Sequence, residues 1–151
     1  MSSPICSGTY IISNVALCEW AGHQNPMPLP TRLPIIGSCE RQIWVVENVE
    51  GDMYMLCLHQ FVTVAEKHHV WSYLGEGVMG TKWMIRPDPF GDKNHYIISD
   101  PERSGRWALR EKGGQVSLES AIKPIPRTDP EQLWMFTPLP IPADAPEPET
   151  K

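Results

Sequence analysis

The side chains able to do chemistry are few and scattered. His23, His59, His68, His69 and His95 show no His-x₃-His spacing, and Cys6, Cys18, Cys39 and Cys57 show no Cys-x₂-Cys pair, so a metal site has no paired ligands to start from. Cys57 and His59 stand two apart and would share a strand face, without partners. The histidines therefore read as surface or loop residues and the cysteines as free thiols. A Gly-x-Ser-x-Gly elbow, a phosphate loop and a dinucleotide fingerprint are all missing, and the Asp and Glu residues single out no pair. The chain reads as a protein without cofactor or metal and not as an enzyme. What its residues offer instead is a stiff shape. In the stretch from Ala21 to Leu33, prolines alternate at Pro26, Pro28 and Pro30. Proline fixes φ near about −65° and biases the preceding residue to extended backbone, so Asn25, Met27 and Leu29 are expected to be held open and extended, in a loop or at an edge. Arg32 is the basic residue of this stretch.

The rest of the chain must position that segment. Its 151 residues suffice for one domain, and 41% hydrophobic with 21% charged residues is ordinary for a folded globular protein. The net charge of −5 repels phosphate backbones and acidic lipid, so neither nucleic acid nor membrane is expected as a partner. The first residues, Met1 to Cys6, lack a basic region followed by an apolar one, from which a cytoplasmic location is expected. Sixteen prolines and 11 glycines leave little room for helices. Between them lie short runs rich in Val, Ile, Tyr, Trp and Thr, at residues 9–15, 43–49, 53–58, 82–86, 95–99, 115–118 and 133–137, which predict β-strands.

Two strand types alternate. One carries Tyr followed by aliphatic residues, at Tyr10, Tyr54 and Tyr96; the other centres on Trp, at Trp44, Trp83 and Trp134. Each Trp strand leads into the next Tyr strand through a turn, at Glu50-Gly51-Asp52 and Phe90-Gly91-Asp92. Adding Trp20, Trp71 and Trp107 gives two tryptophans per unit, as threefold pseudosymmetry predicts. Three units, closing on Gln42-Ile43-Trp44, Thr81-Lys82-Trp83 and Gln132-Leu133-Trp134, resemble a β-trefoil: an all-β barrel of three pseudo-symmetric units with a hairpin cap. A single domain is expected over residues 1–137. The proline-dense residues 138–151 read as a polyproline-like tail. Met53, Met55, Met84 and Met135 read as fillers of the barrel interior or its bottom layer.

The stretches Trp83-Met84-Ile85-Arg86-Pro87, Gly105-Arg106-Trp107-Ala108-Leu109, Lys123-Pro124-Ile125-Pro126 and Ser7-Gly8-Thr9-Tyr10-Ile11-Ile12, with the proline-rich run to Pro34, make the chain similar to the cospin-type fungal trefoil inhibitors of serine proteases. More distantly it resembles the mycocypins, which inhibit cysteine proteases. The resemblance implies a protease inhibitor that fills the active-site cleft with a rigid loop early in the chain; the expectation here is a monomer acting on a trypsin-like serine protease, in defence or endogenous regulation. Asn25, Pro26, Met27, Pro28, Leu29 and Arg32 then form the protease-binding loop. Asn25 and Arg32 rank equally as candidates for the specificity pocket, with Met27 or Leu29 in a chymotrypsin-like pocket as a third option; Pro26 would hinder cleavage after Asn25, and Asn14 or neighbouring polar side chains are expected to buttress the loop. Arg103-Ser104 and Lys67-His68-His69 are weaker loop candidates. A carbohydrate-binding trefoil is the alternative of a different class, with Asp100 and Trp107 as its sugar-site candidate.

Overall fold

In the computed structural model, residues 5–24, 31–58, 60–74, 78–89, 94–101, 105–120 and 129–139 are described. Among them the chain is all-β, with one short 3₁₀ turn at Pro130–Gln132. Six strands close a ring by antiparallel pairing: β1 (Gly8–Asn14), β5 (Trp44–Glu50), β6 (Met53–Leu58), β9 (Trp83–Pro87), β10 (His95–Ser99) and β13 (Trp134–Pro138). Closure leaves this ring no free edge. Three hairpins cover it. These are β2 (Trp20–Gly22) with β4 (Ile36–Ser38), β7 (Phe61–Glu66) with β8 (His69–Leu74), and β11 (Arg106–Ala108) with β12 (Ser117–Glu119). They join one another through β3 (Arg32–Pro34) on β8, through Ser117 opposite His69, and through the bridge from Ile36 to Gln115. The arrangement is β-trefoil-like.

The expected Tyr and Trp strands become the ring itself, and their register is threefold. Tyr10 stands opposite Trp44, Tyr54 opposite Trp83 and Tyr96 opposite Trp134. Alternation does the rest: in β6, Tyr54, Leu56 and Leu58 point inward and are buried, while Met53, Met55 and Cys57 between them are half-buried. The methionines thus lie on the outer side of the ring, not in its interior. The turn at Gly51 takes φ of +54° beside a bulge at Asn48–Glu50, as the Glu50-Gly51-Asp52 signal predicts. The second turn, at Phe90-Gly91-Asp92, lies outside the described residues, although the β9–β10 pairing it would join is present. β13 runs to Pro138, one residue past the expected strand end, and the Leu139 N–H bonds the Thr9 carbonyl at 3.0 Å. Residues 140–151 of the expected tail are outside the described residues.

Six tryptophans do not divide into two equivalent sets of three. Trp44, Trp83 and Trp134 are fully buried, as expected, and their indole N–H groups donate to Ala21 O (2.9 Å), Thr63 Oγ1 (2.7 Å) and Trp107 O (2.9 Å). Those acceptors mark Ala21, Thr63 and Trp107 as the equivalent cap positions. Trp107 alone fills the centre, with ring centroids 6.0, 5.3 and 5.7 Å from Trp44, Trp83 and Trp134 in edge-on geometry. Its own Nε1 is buried without a hydrogen-bond partner, among indole faces. Trp20 and Trp71 are half-buried at unrelated places. A threefold core has one axis and room there for one indole, so the third unit supplies it and the others supply Ala21 and Thr63. Full burial also removes Trp107 from the sugar-site candidate, because no sugar face can reach its ring.

At the other end, Tyr10 and Tyr54 hydroxyls donate to Cys6 O and Ile5 O, both at 2.7 Å, so the first described residues plug the barrel floor. Burial pushes the Tyr10, Tyr54 and Tyr96 phenols above their ordinary value, and proximity to Cys6 adds to it. The unfolded chain therefore releases these protons first as pH rises past about 10, and the protonated, folded form loses ground. We expect the urea midpoint to be flat from neutral pH up to that value and to fall steeply above it, with a shallower fall in Tyr54→Phe. An equal fall in both proteins would exclude the tyrosine floor as the cause. The four cysteines are all unpaired, with Cys57 half-buried and the others exposed.

Candidate functional site: the anchors on either side of residues 25–30

Asn25, Pro26, Met27, Pro28 and Leu29 lie outside the described residues. Both ends of their segment are described, and both are fixed to the β7–β8 hairpin. The leading end leaves β2 at Gly22 and enters His23, which is buried at 5% exposure and is not the surface histidine its sequence suggests. His23 Nδ1 lies 2.9 Å from Ser72 Oγ. Ser72 in turn donates to Leu33 O at 3.2 Å, so its lone pair is the acceptor for the imidazole N–H. The His23 ring packs edge-on against Phe61 at 4.7 Å. Its backbone is gripped by the Gln42 amide, which accepts from His23 N (3.2 Å) and donates to His23 O (2.9 Å). A Cβ at Gly22 would lie 2.5 Å from that amide and would push it out of its place.

The returning end enters at Thr31, whose carbonyl accepts from Leu74 N at 2.9 Å, and continues into β3, where Arg32, Leu33 and Pro34 pair with Tyr73, Ser72 and Trp71. Proline at the end of this short strand fits its place off the main strand path, consistent with the expected edge. Arg32 is not a free side chain. Its Cζ stacks 3.9 Å from the Trp71 ring centroid and its Nη1 lies 3.4 Å from Glu66 Oε1, to which the Tyr73 hydroxyl also donates. The Tyr73 hydroxyl, with Arg32 adding to it, holds the Glu66 carboxyl below the usual carboxylate range.

Leu33, His23, Ser72 and Phe61 thus join β3, β7, β8 and the residue after β2 into one buried cluster at the two described ends of the segment. Sequence spacing could not show it, because Ser72 and Phe61 are contributed from the next unit. Gln42 had a signal, the Gln-x-Trp pattern, but its amide serves the loop base while Trp44 serves the core. Removing it deletes two hydrogen bonds, together worth on the order of 1–3 kcal/mol. Gln42→Ala is expected to lower the unfolding free energy by that amount in urea titration; a change below experimental error would mean that the grip contributes nothing.

Asn14 has a different role from the one expected. Its Oδ1 accepts from Ala16 N and Leu17 N, both at 3.0 Å, and its Nδ2 donates to Glu131 O at 3.1 Å, so it shapes the β1–β2 connection and not the segment after β2. Lys67 and His68 form the β7–β8 turn with φ of 51° and 66°, left-handed backbone that cannot present a substrate-like extended strand. Arg103 and Ser104 are outside the described residues. Among the described residues no group of three or more His, Cys, Asp or Glu could hold a metal ion, and no helix is long and apolar enough to cross a membrane.

Similarity to known proteins fits this architecture. A proteinase inhibitor from Coprinopsis cinerea superposes with a TM-score of 0.73 at 20% identity, over 89% of this chain and 99% of its own. A salivary protein of the cysteine and tryptophan-rich family from Culex quinquefasciatus gives 0.69 at 15%, over 89% and 95%. SeviL, in a structure bound to asialo-GM1 saccharide, gives 0.65 at 16%, over 89% and 99%. No curated protein matches the chain. At these identities the shared property is the fold, which serves inhibitors and a saccharide binder alike. The sequence itself is more specific: residues 2–138 match the model of peptidase inhibitor I66, and the chain belongs to that family of protease inhibitors.

Proposed function

We propose that the protein is a β-trefoil that inhibits trypsin-like serine proteases by placing residues 25–30 in the active-site cleft. The observation that carries this reading is the double anchorage of the segment: His23 is held by Ser72 and Gln42 at one end, and Thr31 and Arg32 by Leu74 and Trp71 at the other. A segment fixed at both ends and stiffened by three prolines loses little conformational freedom on binding, so more of its contact energy becomes affinity and dissociation is slow. Asn25 is assigned to the specificity pocket. The competing candidate, Arg32, would first have to leave Trp71, Glu66 and its pairing in β3. Pro26 after Asn25 would hinder hydrolysis of the bond between them.

Titration of trypsin, chymotrypsin, a subtilisin-like protease, papain and legumain with the protein tests the class. Stoichiometric loss of trypsin activity is expected. Loss of papain or legumain activity alone would replace the serine protease reading with a cysteine protease one, and five unaffected enzymes would overturn both.

A further inference from the structure

The three units place equivalent residues at the start of each cap hairpin: Trp20 opposite Ser13, Val62 opposite Cys57 and Arg106 opposite Ser99. Two of these are apolar. The third puts a guanidinium into an apolar groove of about 480 Å³ on the outer wall of the β9–β10 pair, a volume within the roughly 300–1,000 Å³ of small-ligand pockets. Met84 and Ile97 are among its lining residues and are nearly buried, at 8% and 9% exposure, and Pro87 and Pro89 line it as well. Arg86 also lines the groove but is engaged by Asp52 at 2.5 Å. Arg106 is half-buried and forms no hydrogen bond or ion pair with the described residues. Asp88 is near enough to favour its charge, but burial dominates and pulls the guanidinium below its ordinary value. A cation desolvated in this way is costly unless something pairs with it.

The geometry points to the β9–β10 groove as a binding site for a small carboxylate with an apolar body, whose carboxylate meets Arg106 and whose body lies on Met84, Ile97 and the two prolines. A guanidinium pairs two of its N–H donors with the two oxygens of a carboxylate, which a neutral alcohol cannot reproduce. This site is separate from the segment at 25–30 and does not depend on its role.

The test is titration with sodium hexanoate at constant ionic strength, followed through the Met84 methyl signal by NMR, with 1-hexanol as the neutral analogue. Saturable binding of hexanoate is expected, at least about tenfold tighter than hexanol. Arg106→Val, which installs the residue found at the equivalent position 62, should weaken hexanoate at least tenfold while raising the apo protein's Tm by about 2–4 °C. Arg106→Lys, which keeps the charge, should retain part of the affinity and guards against a folding failure in the valine variant. Equal binding of hexanol and hexanoate, unchanged hexanoate affinity in Arg106→Val, or no saturable shift would each overturn the assignment.

Discussion

Trp107→Ala is expected to destabilise the protein by about 3–5 kcal/mol, the range for removing a large buried aromatic side chain. Trp107 is the hub of the core: it is fully buried and touches the tryptophans of all three units edge-on. Its loss would open a cavity on the pseudo-threefold axis, where neighbours from three directions would have to collapse together. Each edge-on pair is also worth about 0.5–1.5 kcal/mol beyond burial. At roughly 2–4 °C per kcal/mol for a domain of this size, Tm should fall by on the order of 10 °C. Trp20→Ala and Trp71→Ala, at half-buried sites on the surface of the cap, should each cost far less. Equal losses for all three in thermal or urea unfolding would contradict the single-hub core.

The second large effect concerns inhibition. Asn25→Ala is expected to weaken trypsin inhibition by at least about 2 kcal/mol, roughly thirtyfold in Kd, as the central contact of a small rigid interface should. Its Tm should stay close to that of the parent, because the contacts of both anchors, His23 with Ser72 and Gln42 and Thr31 with Leu74, are left in place. Arg32→Ala should behave differently. It removes the stack on Trp71 and the ion pair with Glu66, both partly exposed, and so loosens one anchor by a modest amount instead of emptying the specificity pocket. A larger loss of inhibition in Arg32→Ala than in Asn25→Ala would reverse the assignment of the two residues.

These expectations show which parts of the molecule are legible in its sequence. The Tyr and Trp strands are, because each obeys a period of two and their spacing repeats; the ring and its register follow. β7 and β8 are harder to see, since their turn is Lys67-His68, without the Gly, Asn or Asp that normally marks a two-residue hairpin. β2, β3, β4 and β11 have three residues each, too few for any periodicity to show. The role of Trp107 is hidden for another reason. Counting tryptophans per unit treats Trp20, Trp71 and Trp107 as equivalent, whereas the axis of the barrel admits one.

At the candidate site, the prolines of residues 25–30 are visible as a stiff segment, but the base that holds it is assembled from distant contacts. Ser72 reaches His23 across 49 positions and Leu33 across 39. Arg32 reads in sequence as an available basic residue because nothing local reveals Trp71 beneath it or Glu66 beside it. The same holds for Arg106: nothing local in the sequence relates it to β9, and only the pairing opposite Ser99 brings it to line one groove with Met84 and Ile97.

The central claim is that the segment between the two anchors is what enters the protease. Its most direct test is the inhibition constant against trypsin of the parent and of a variant in which residues 25–30 are replaced by a Gly-Ser run of the same length. The account predicts stoichiometric inhibition by the parent and loss of inhibition by at least three orders of magnitude, on the order of 4 kcal/mol, in a variant whose Tm is nearly unchanged. Undiminished inhibition by that variant would contradict it and move the protease-binding surface elsewhere on the fold.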